Sequence, residues 1–178
     1  MRNKVSILAL ICAFTFMSCT QTKPCETPTN GFLTDTDFQV KMGSSAAVDV
    51  FNQLDAAWAK RDYETLKTFI ADEASLSFDD GFVATTPQEF VDKIKADAAE
   101  STTEGGNSWV TNYAFALTLT DDGSEETTID SGDWVNAQFT TTSTDPDSEI
   151  YSEIYYEYYH IVDGKVTQWN QFKKTIKK

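Results

Sequence analysis

The sequence predicts an α+β fold in which a curved antiparallel sheet wraps around three N-terminal helices to form a cone. Amphipathic helical segments are concentrated before residue 100, and long strand-like segments separated by short turns occupy the region after residue 108. Helices gathered on one side of an antiparallel sheet are typical of the α+β class. No internal repeat is visible, so residues 44–178 are interpreted as one domain.

Capping residues and apolar spacing predict the three helices. Residues 47–58 carry apolar side chains at i, i+3, i+4 and i+7, and Ser44 or Ser45 can cap their start. Asp62 can cap a second, short helix. Residues 86–89 have the sequence Thr-Pro-Gln-Glu, a capping box with proline at the first helical position, and they begin a third helix. Its predicted buried side consists of Phe90, Ile94 and Ala98.

The predicted strands are rich in aromatic and β-branched residues. Residues 75–78 and 82–85 flank Asp79-Asp80-Gly81, a sequence that predicts a hairpin turn. Long antiparallel strands are predicted after the third helix, and turns with Asp-Gly or Asp-Pro separate them. Their predicted ranges are 109–120, 134–142, 149–162 and 165–175.

The N-terminus has the features of a secretory signal. Arg2 and Lys4 give it a positive start, and residues 5–17 form an apolar run interrupted by two hydroxyl side chains. This run is shorter than the about 20 apolar residues of a membrane-spanning helix. It ends in Phe16-Met17-Ser18-Cys19, which resembles the lipobox of bacterial lipoproteins.

The lipobox resemblance implies that residues 1–18 are a signal peptide and that Cys19 carries the acyl chains. The next residue is Thr20 rather than aspartate, which in that family implies sorting to the outer membrane. We therefore expect a lipid-anchored protein of the bacterial cell envelope. An ordinary secretory signal and an uncleaved anchor are the alternatives. Residues 19–43 are rich in Thr, Asp, Pro and Gly, and they are expected to form a partly disordered tether.

The acidic charge restricts the expected partners. The formal net charge is −14, and it would become −16 once the two cations Arg2 and Lys4 leave with the signal. Such a surface repels phosphate backbones, so no nucleic-acid partner is expected. It also repels anionic lipid headgroups, so we expect membrane attachment through acyl chains on Cys19 and not through a basic patch.

Cysteine and histidine usage predicts neither a disulfide nor a metal site. Cys12 would leave with the signal and Cys19 would be lipidated, so Cys25 has no partner within the mature chain. A single histidine and no usable cysteine exclude the common zinc sets. The acidic turns at residues 121–123 and 145–149 match no calcium loop. Because phosphate loops and dinucleotide fingerprints are also missing from the sequence, no cofactor is expected.

Four segments together resemble the nuclear transport factor 2-like superfamily in its SnoaL-like branch. They are Ala57–Leu66 (AWAKRDYETL), Phe69–Ala74 (FIADEA), Gly132–Val135 (GDWV) and His160–Val166 (HIVDGKV). The resemblance implies a conical pocket between sheet and helices, and a homodimer packed through the sheet. It implies no single reaction, because the family includes isomerases, dehydratases, cyclases, epoxide hydrolases and many proteins without enzymatic activity.

The catalytic residues of two branches of this family are missing from the sequence. In ketosteroid isomerases the hydrogen-bonding tyrosine would align with Leu54 and the general-base aspartate with Phe78. Neither side chain can transfer a proton, so this mechanism is not expected. The family's dehydratases use two histidines, and this chain has only His160.

The candidate catalytic residues, Glu157 and His160, lie on the predicted strand 149–162. Alternation places Glu157 on one face with Glu153 and puts His160 on the other face. Inside the cone, Glu157 would have a raised pKa and could serve as an acid or base. The opposite face is more apolar, which favours exposure of Glu157, and His160 is expected to be a structural residue bonded across strands. The residues that make the opposite face apolar are Ile150, Ile154, Tyr156 and Tyr158.

Aromatic residues are the candidates for lining a ligand pocket, and an ordinary aromatic core is the alternative. The predicted pocket residues are Trp58, Tyr113, Tyr155, Tyr159 and Trp169, with Trp109 and Trp134 as further candidates. The sequence thus predicts a lipid-anchored envelope protein that binds a small apolar ligand or a protein partner without catalysis. The alternative is an acid-base enzyme of the isomerase, dehydratase or cyclase type that acts on a hydrophobic small molecule.

Overall fold

The computed structural model describes residue 29 and residues 31–36, 38–100, 108–120 and 132–178. The predicted signal peptide, residues 19–28, 30 and 37 of the predicted tether, which include Cys19 and Cys25, and the turn at residues 121–123 lie outside these residues. Across the ranges that are described, no helix combines the length and the hydropathy needed to cross a membrane.

All three predicted helices are present in the described residues. They are α1 (Ser45–Ala59), α2 (Tyr63–Thr68) and α3 (Pro87–Glu100). The described strands are β1 (Gly31–Phe32), β2 (Gln39–Met42), β3 (Ile70–Ser77), β4 (Val83–Ala84), β5 (Ser108–Thr120), β6 (Asp133–Thr142), β7 (Ile150–Val162) and β8 (Lys165–Lys177). The predicted hairpin joins β3 to β4, and the predicted long strands are β5 to β8.

The helix caps are formed by the residues that the sequence predicts. Ser44 and Asp62 each accept a bond from the backbone N–H three residues later, both at 3.2 Å. Thr86 does the same for α3 at 3.2 Å, while the carboxylate of Glu89 reaches back to the N–H of Thr85 at 2.8 Å. These bonds satisfy N–H groups that have no partner within the first turn of a helix.

The described strands form one open, curved sheet in the order β1-β2-β5-β6-β7-β8-β3-β4. All neighbours are antiparallel except β3 and β8, which run parallel, so the prediction of a purely antiparallel sheet is wrong. A parallel pair needs a long crossover connection. The chain between β3 and β8 contains the β4 hairpin, α3 and three further strands, so no tight turn imposes an antiparallel orientation on this pair.

Helices α1 and α3 cover one face of the sheet, which we call the inner face; the opposite face is the outer face. The core between them is largely aromatic and aliphatic. Its most deeply buried large side chains include Trp169, Phe51, Phe139, Leu66, Ile70 and Leu76. On α3, Phe90 and Ile94 are buried as predicted, but Ala98 is exposed and Val91 is buried instead. The last turn of α3 therefore lies beyond the core.

Candidate functional site

Between Tyr155 and Tyr159, the odd-numbered side chains of β7 point towards the helices. Glu157 is 1% exposed and Tyr159 is 2% exposed. The ring of Tyr159 meets Phe51 of α1 edge-on, with 5.2 Å between ring centroids. The preference for an exposed Glu157 face is therefore wrong. The apolar composition of each face did not identify the buried one, because both faces of β7 carry aromatic residues. The cost of burying the Glu157 carboxyl group is offset by hydrogen bonds to residues that are distant in the sequence.

Three donors hold the side chain of Glu157. The Tyr159 hydroxyl and the Trp169 indole N–H both donate to Oε2, the latter at 3.2 Å. The amide of Gln171 donates to Oε1 at 2.8 Å. Burial raises the pKa of Glu157, and these three hydrogen bonds oppose that rise because they favour the charged form.

The strand register explains why Glu157 fits below α1. Glu157 pairs with Ala137 on β6 and with Gln171 on β8, and Ala137 in turn pairs with Ala114 on β5. Two small side chains thus lie beside the glutamate across the sheet. The ring of Phe51 packs above this row, because it contacts residues on both sides of Ala137, namely Phe139 at 6.1 Å and Tyr159 at 5.2 Å between centroids.

A second carboxyl group, that of Asp55 on α1, faces the same region. Asp55 is half-buried and accepts a hydrogen bond from the hydroxyl of Thr111 on β5 at 3.3 Å. Burial raises the pKa of Asp55, and its charge also contributes to the raised pKa of Glu157. Sequence analysis missed Asp55. The available signal was an acidic side chain one helical turn after the buried Phe51, at the border of the apolar stripe of α1.

One exposed aromatic ring, that of Trp109, borders these carboxyl groups on the inner face. Trp109 is 45% exposed, and its ring packs against Phe139 at 4.8 Å and Tyr155 at 5.4 Å between centroids. Trp109 and Thr111, the hydrogen-bond partner of Asp55, lie on the same face of β5, and two residues of strand separate their Cα atoms by about 7 Å. We call Trp109, Phe139, Tyr155 and Asp55 the Trp109 site.

Charged groups continue this site along β7 and β8. The Tyr155 hydroxyl donates to Glu153 at 2.9 Å. The Lys173 ammonium lies 2.9 Å from Asp79 and 3.8 Å from Glu153, and 5.8 Å from the centroid of the Tyr155 ring. Burial raises the pKa of Tyr155, with the Glu153 charge adding to the effect, so this hydroxyl stays protonated and remains a donor.

The predicted pocket residues separate into three groups. Trp58, Tyr159 and Trp169 pack in the core, where Trp169 is 1% exposed and lies 6.1 Å from Trp58 between ring centroids. Tyr155 belongs to the Trp109 site. Tyr113 does not join them, because it lies on the outer face, 43% exposed and stacked on Phe115.

A β-bulge accounts for the position of Tyr113. Thr111 pairs with Phe139 and Tyr113 pairs with Gln138, so Asn112 is an extra residue in β5. Without this bulge, alternation would place Tyr113 on the inner face with Trp109. The Asn112 amide contacts Gln138 and also donates to the Thr140 hydroxyl at 2.7 Å.

His160 lies on the outer face, so alternation separates it from Glu157 as predicted. Its ring stacks on Trp134 with 4.7 Å between centroids, and Nδ1 lies 2.9 Å from the Thr167 hydroxyl on β8. A Cβ atom at Gly132 would come within 2.9 Å of its Nε2, so the backbone packs closely here. Within the described part of the chain, no three His, Cys, Asp or Glu side chains are placed to hold a metal ion.

The outer face carries a second exposed aromatic surface. Tyr113 stacks on Phe115 at 5.7 Å, and Tyr158 meets Phe172 edge-on at 6.0 Å between centroids. These four side chains are between 38% and 58% exposed. Their surface spans β5, β7 and β8 and is separated from the Trp109 site by the thickness of the sheet.

No protein-family model and no curated protein matches this sequence. Solved structures resemble its fold at low identity. A ketosteroid isomerase-like protein from Kribbella flavida is 9% identical, with a TM-score of 0.54 over 77% of this chain and 84% of that one. A nuclear transport factor 2-like protein of unknown function from Burkholderia pseudomallei is 11% identical, with a TM-score of 0.51 over 74% and 92%.

Bal32a, from a soil-derived mobile gene cassette, is 13% identical, with a TM-score of 0.51 over 72% of this chain and 89% of that one. Identities this low concern the fold and not the chemistry. The described domain therefore has the nuclear transport factor 2-like fold that the four sequence segments implied.

Proposed function

We propose that this chain is a lipid-anchored protein of the bacterial cell envelope whose domain binds a small amphipathic ligand at the Trp109 site. The observation that carries the proposal is the exposure of Trp109, 45% of whose surface is free on the face that otherwise forms the core. Aromatic side chains beside a small number of convergent polar groups are typical of a ligand site. The apolar body of the ligand would lie on Trp109 and Tyr155, and its polar group would meet Asp55.

Replacing Trp109 with alanine is expected to weaken binding of an apolar probe. The uncharged fluorophore N-phenyl-1-naphthylamine should brighten on addition to the wild-type domain, because it enters an apolar environment. In Trp109→Ala the aromatic contact area is lost, and affinity should fall about tenfold or more. Fluorescence titration measures the affinity of the wild type and that of Trp109→Ala. The matched control is Tyr113→Ala, since Tyr113 has nearly the same exposure, 43%, but lies on the outer face. Equal loss in both variants, or no binding by the wild type, would refute the proposed site.

A second candidate function is acid-base catalysis, and the position of Glu157 favours it. An enzyme of this kind needs a titratable group deep between sheet and helices, and burial raises the pKa of Glu157. Glu157→Gln would then reduce turnover by about 10²–10⁴-fold. Chemistry of the ketosteroid isomerase type is not supported, because Leu54 and Phe78 are buried apolar residues, 2% and 7% exposed. We rank catalysis second, because Glu157 is 1% exposed and already accepts three hydrogen bonds.

The anchor is proposed from the sequence, where Cys19 follows Phe16-Met17-Ser18. Cys19→Ser is expected to remove the acylation site, so the protein should leave the membrane fraction or retain its signal peptide. Mass spectrometry of the purified protein detects the acyl chains, and fractionation of outer and inner membranes tests the location. A soluble, unacylated wild-type protein would exclude the anchor.

We also propose that the domain forms a symmetric homodimer through the outer face. Tyr113, Phe115, Tyr158 and Phe172 supply the exposed aromatic surface there, and apolar surface of this extent commonly marks an interface. Phe172→Asp should place charge within the contact and yield monomers. Light scattering at tens of micromolar protein distinguishes the two masses, and a monomeric wild type would exclude the dimer.

A further inference from the structure

We propose that the Trp109 site selects organic cations, that is, an ammonium group carried on a small apolar body. This inference rests on the proposed ligand site and adds the chemical class of the ligand. It is carried by two features of the site. One is the exposed indole of Trp109 beside Tyr155, and the other is an excess of carboxylates around these rings, which an uncharged ligand would not need.

The aromatic part can attract positive charge. The exposed indole of Trp109 is the ring type that binds cations best, and Tyr155 packs beside it at 5.4 Å between centroids. The protein places one of its own cations on this surface, since the Lys173 ammonium lies 5.8 Å from the centroid of the Tyr155 ring. A ligand ammonium above Trp109 would extend an arrangement that the chain already contains.

The charge around the site is complementary to a cation. Asp55 is the carboxyl group of the site itself, on the α1 side, and Glu153 borders the site on β7 through its bond with the Tyr155 hydroxyl. Lys173 is the cation next to these groups, and it is paired with both Asp79 and Glu153. Among the residues named here, the four carboxyl groups of Asp55, Glu153, Asp79 and Glu157 outnumber the single Lys173 ammonium, so the local balance stays acidic even if Glu157 is protonated. These carboxylates would repel an anionic ligand, and they would gain no charge–charge attraction from a neutral one.

The test compares two probes of the same shape. Phenyltrimethylammonium and tert-butylbenzene differ by a nitrogen for a carbon, and therefore by one positive charge. Titrations followed through the indole N–H resonances of the soluble domain should give an affinity about tenfold higher for the cation. Trp109→Ala should abolish binding of the cation, and Asp55→Asn should weaken it severalfold.

Matched variants separate this site from general attraction to an acidic protein. Asp72 is exposed on β3, so Asp72→Asn removes one charge away from the site; it should leave the affinity unchanged, as should Tyr113→Ala. If Asp72→Asn weakens binding as much as Asp55→Asn does, the attraction is non-specific and the inference fails. If tert-butylbenzene binds as tightly as phenyltrimethylammonium, with the same loss in Trp109→Ala, the ligand site stands and cation selectivity is refuted. If neither probe binds while N-phenyl-1-naphthylamine does, selectivity is likewise refuted.

Discussion

Trp169→Ala is expected to lower the free energy of unfolding by about 3–5 kcal/mol, enough to leave the domain largely unfolded at moderate temperature. Trp169 is 1% exposed. Its ring contacts Phe78 at 4.8 Å, Phe90 at 5.2 Å and Trp58 at 6.1 Å between centroids, so it joins β8 to the β3–β4 hairpin, α3 and α1. Truncation would open a cavity at the point where these elements meet.

The same substitution also removes a donor from Glu157. The Trp169 indole N–H bonds to Oε2 at 3.2 Å, and a buried carboxyl group that loses a partner is destabilising in addition to the cavity. Urea unfolding at several pH values measures the effect. Trp109→Ala is the matched control, because its 45% exposed ring loses only partial contacts and should cost below about 1.5 kcal/mol. If Trp169→Ala and Trp109→Ala lower the free energy of unfolding by similar amounts, Trp169 does not have this central role in the core.

Local chemistry made much of the fold predictable. Ser44, Asp62 and the 86–89 capping box act through hydrogen bonds to residues within one turn, so a short sequence window contains all the necessary information. The hairpin at Asp79-Asp80-Gly81 is also local, and Gly81 adopts a positive φ of 90° there. The prediction that Ala98 is buried was wrong because helical spacing identifies the apolar face of α3 but not the residue at which the tertiary core ends.

The candidate site depended on non-local features. The inward direction of β7 is decided by Phe51 packing on Tyr159 and by donors on β8, and no window around Glu157 includes both. The parallel pairing of β3 with β8 joins residues almost a hundred positions apart, such as Ile70 and Val166. At Asn112 a single extra residue reverses the faces of the rest of β5, and alternation alone carries no sign of it.

Glu157→Gln is expected to abolish most of a pH dependence of stability that the wild-type domain should display. Burial raises the pKa of Glu157 above its unfolded value of about 4.3, and the charge of Asp55 adds to this effect. At a pH below this unfolded-state pKa, the Glu157 carboxyl group is neutral in the folded and in the unfolded chain, and the folded state has its full stability. As pH rises, the unfolded chain loses the proton first, so stability falls by up to about 1.4 kcal/mol per pH unit until the folded-state pKa is passed.

Glutamine keeps the size of the side chain but cannot ionise. Its oxygen can accept from Tyr159 and Trp169, and its NH2 group can donate to Gln171 once the Gln171 amide flips to present its oxygen. The free energy of unfolding of Glu157→Gln relative to wild type should therefore increase with pH, as measured by urea unfolding between mildly acidic and neutral pH. Part of the slope should persist, because burial also raises the pKa of Asp55, and Asp55→Asn in the Glu157→Gln background should reduce it further. Glu73→Gln, at an exposed position on β3, is the control. If the plots of unfolding free energy against pH run parallel for Glu157→Gln and wild type, the Glu157 carboxyl group ionises equally readily in the folded and unfolded states. Burial between α1 and the sheet would then not set its proton affinity, and the acid-base function would lose its physical basis.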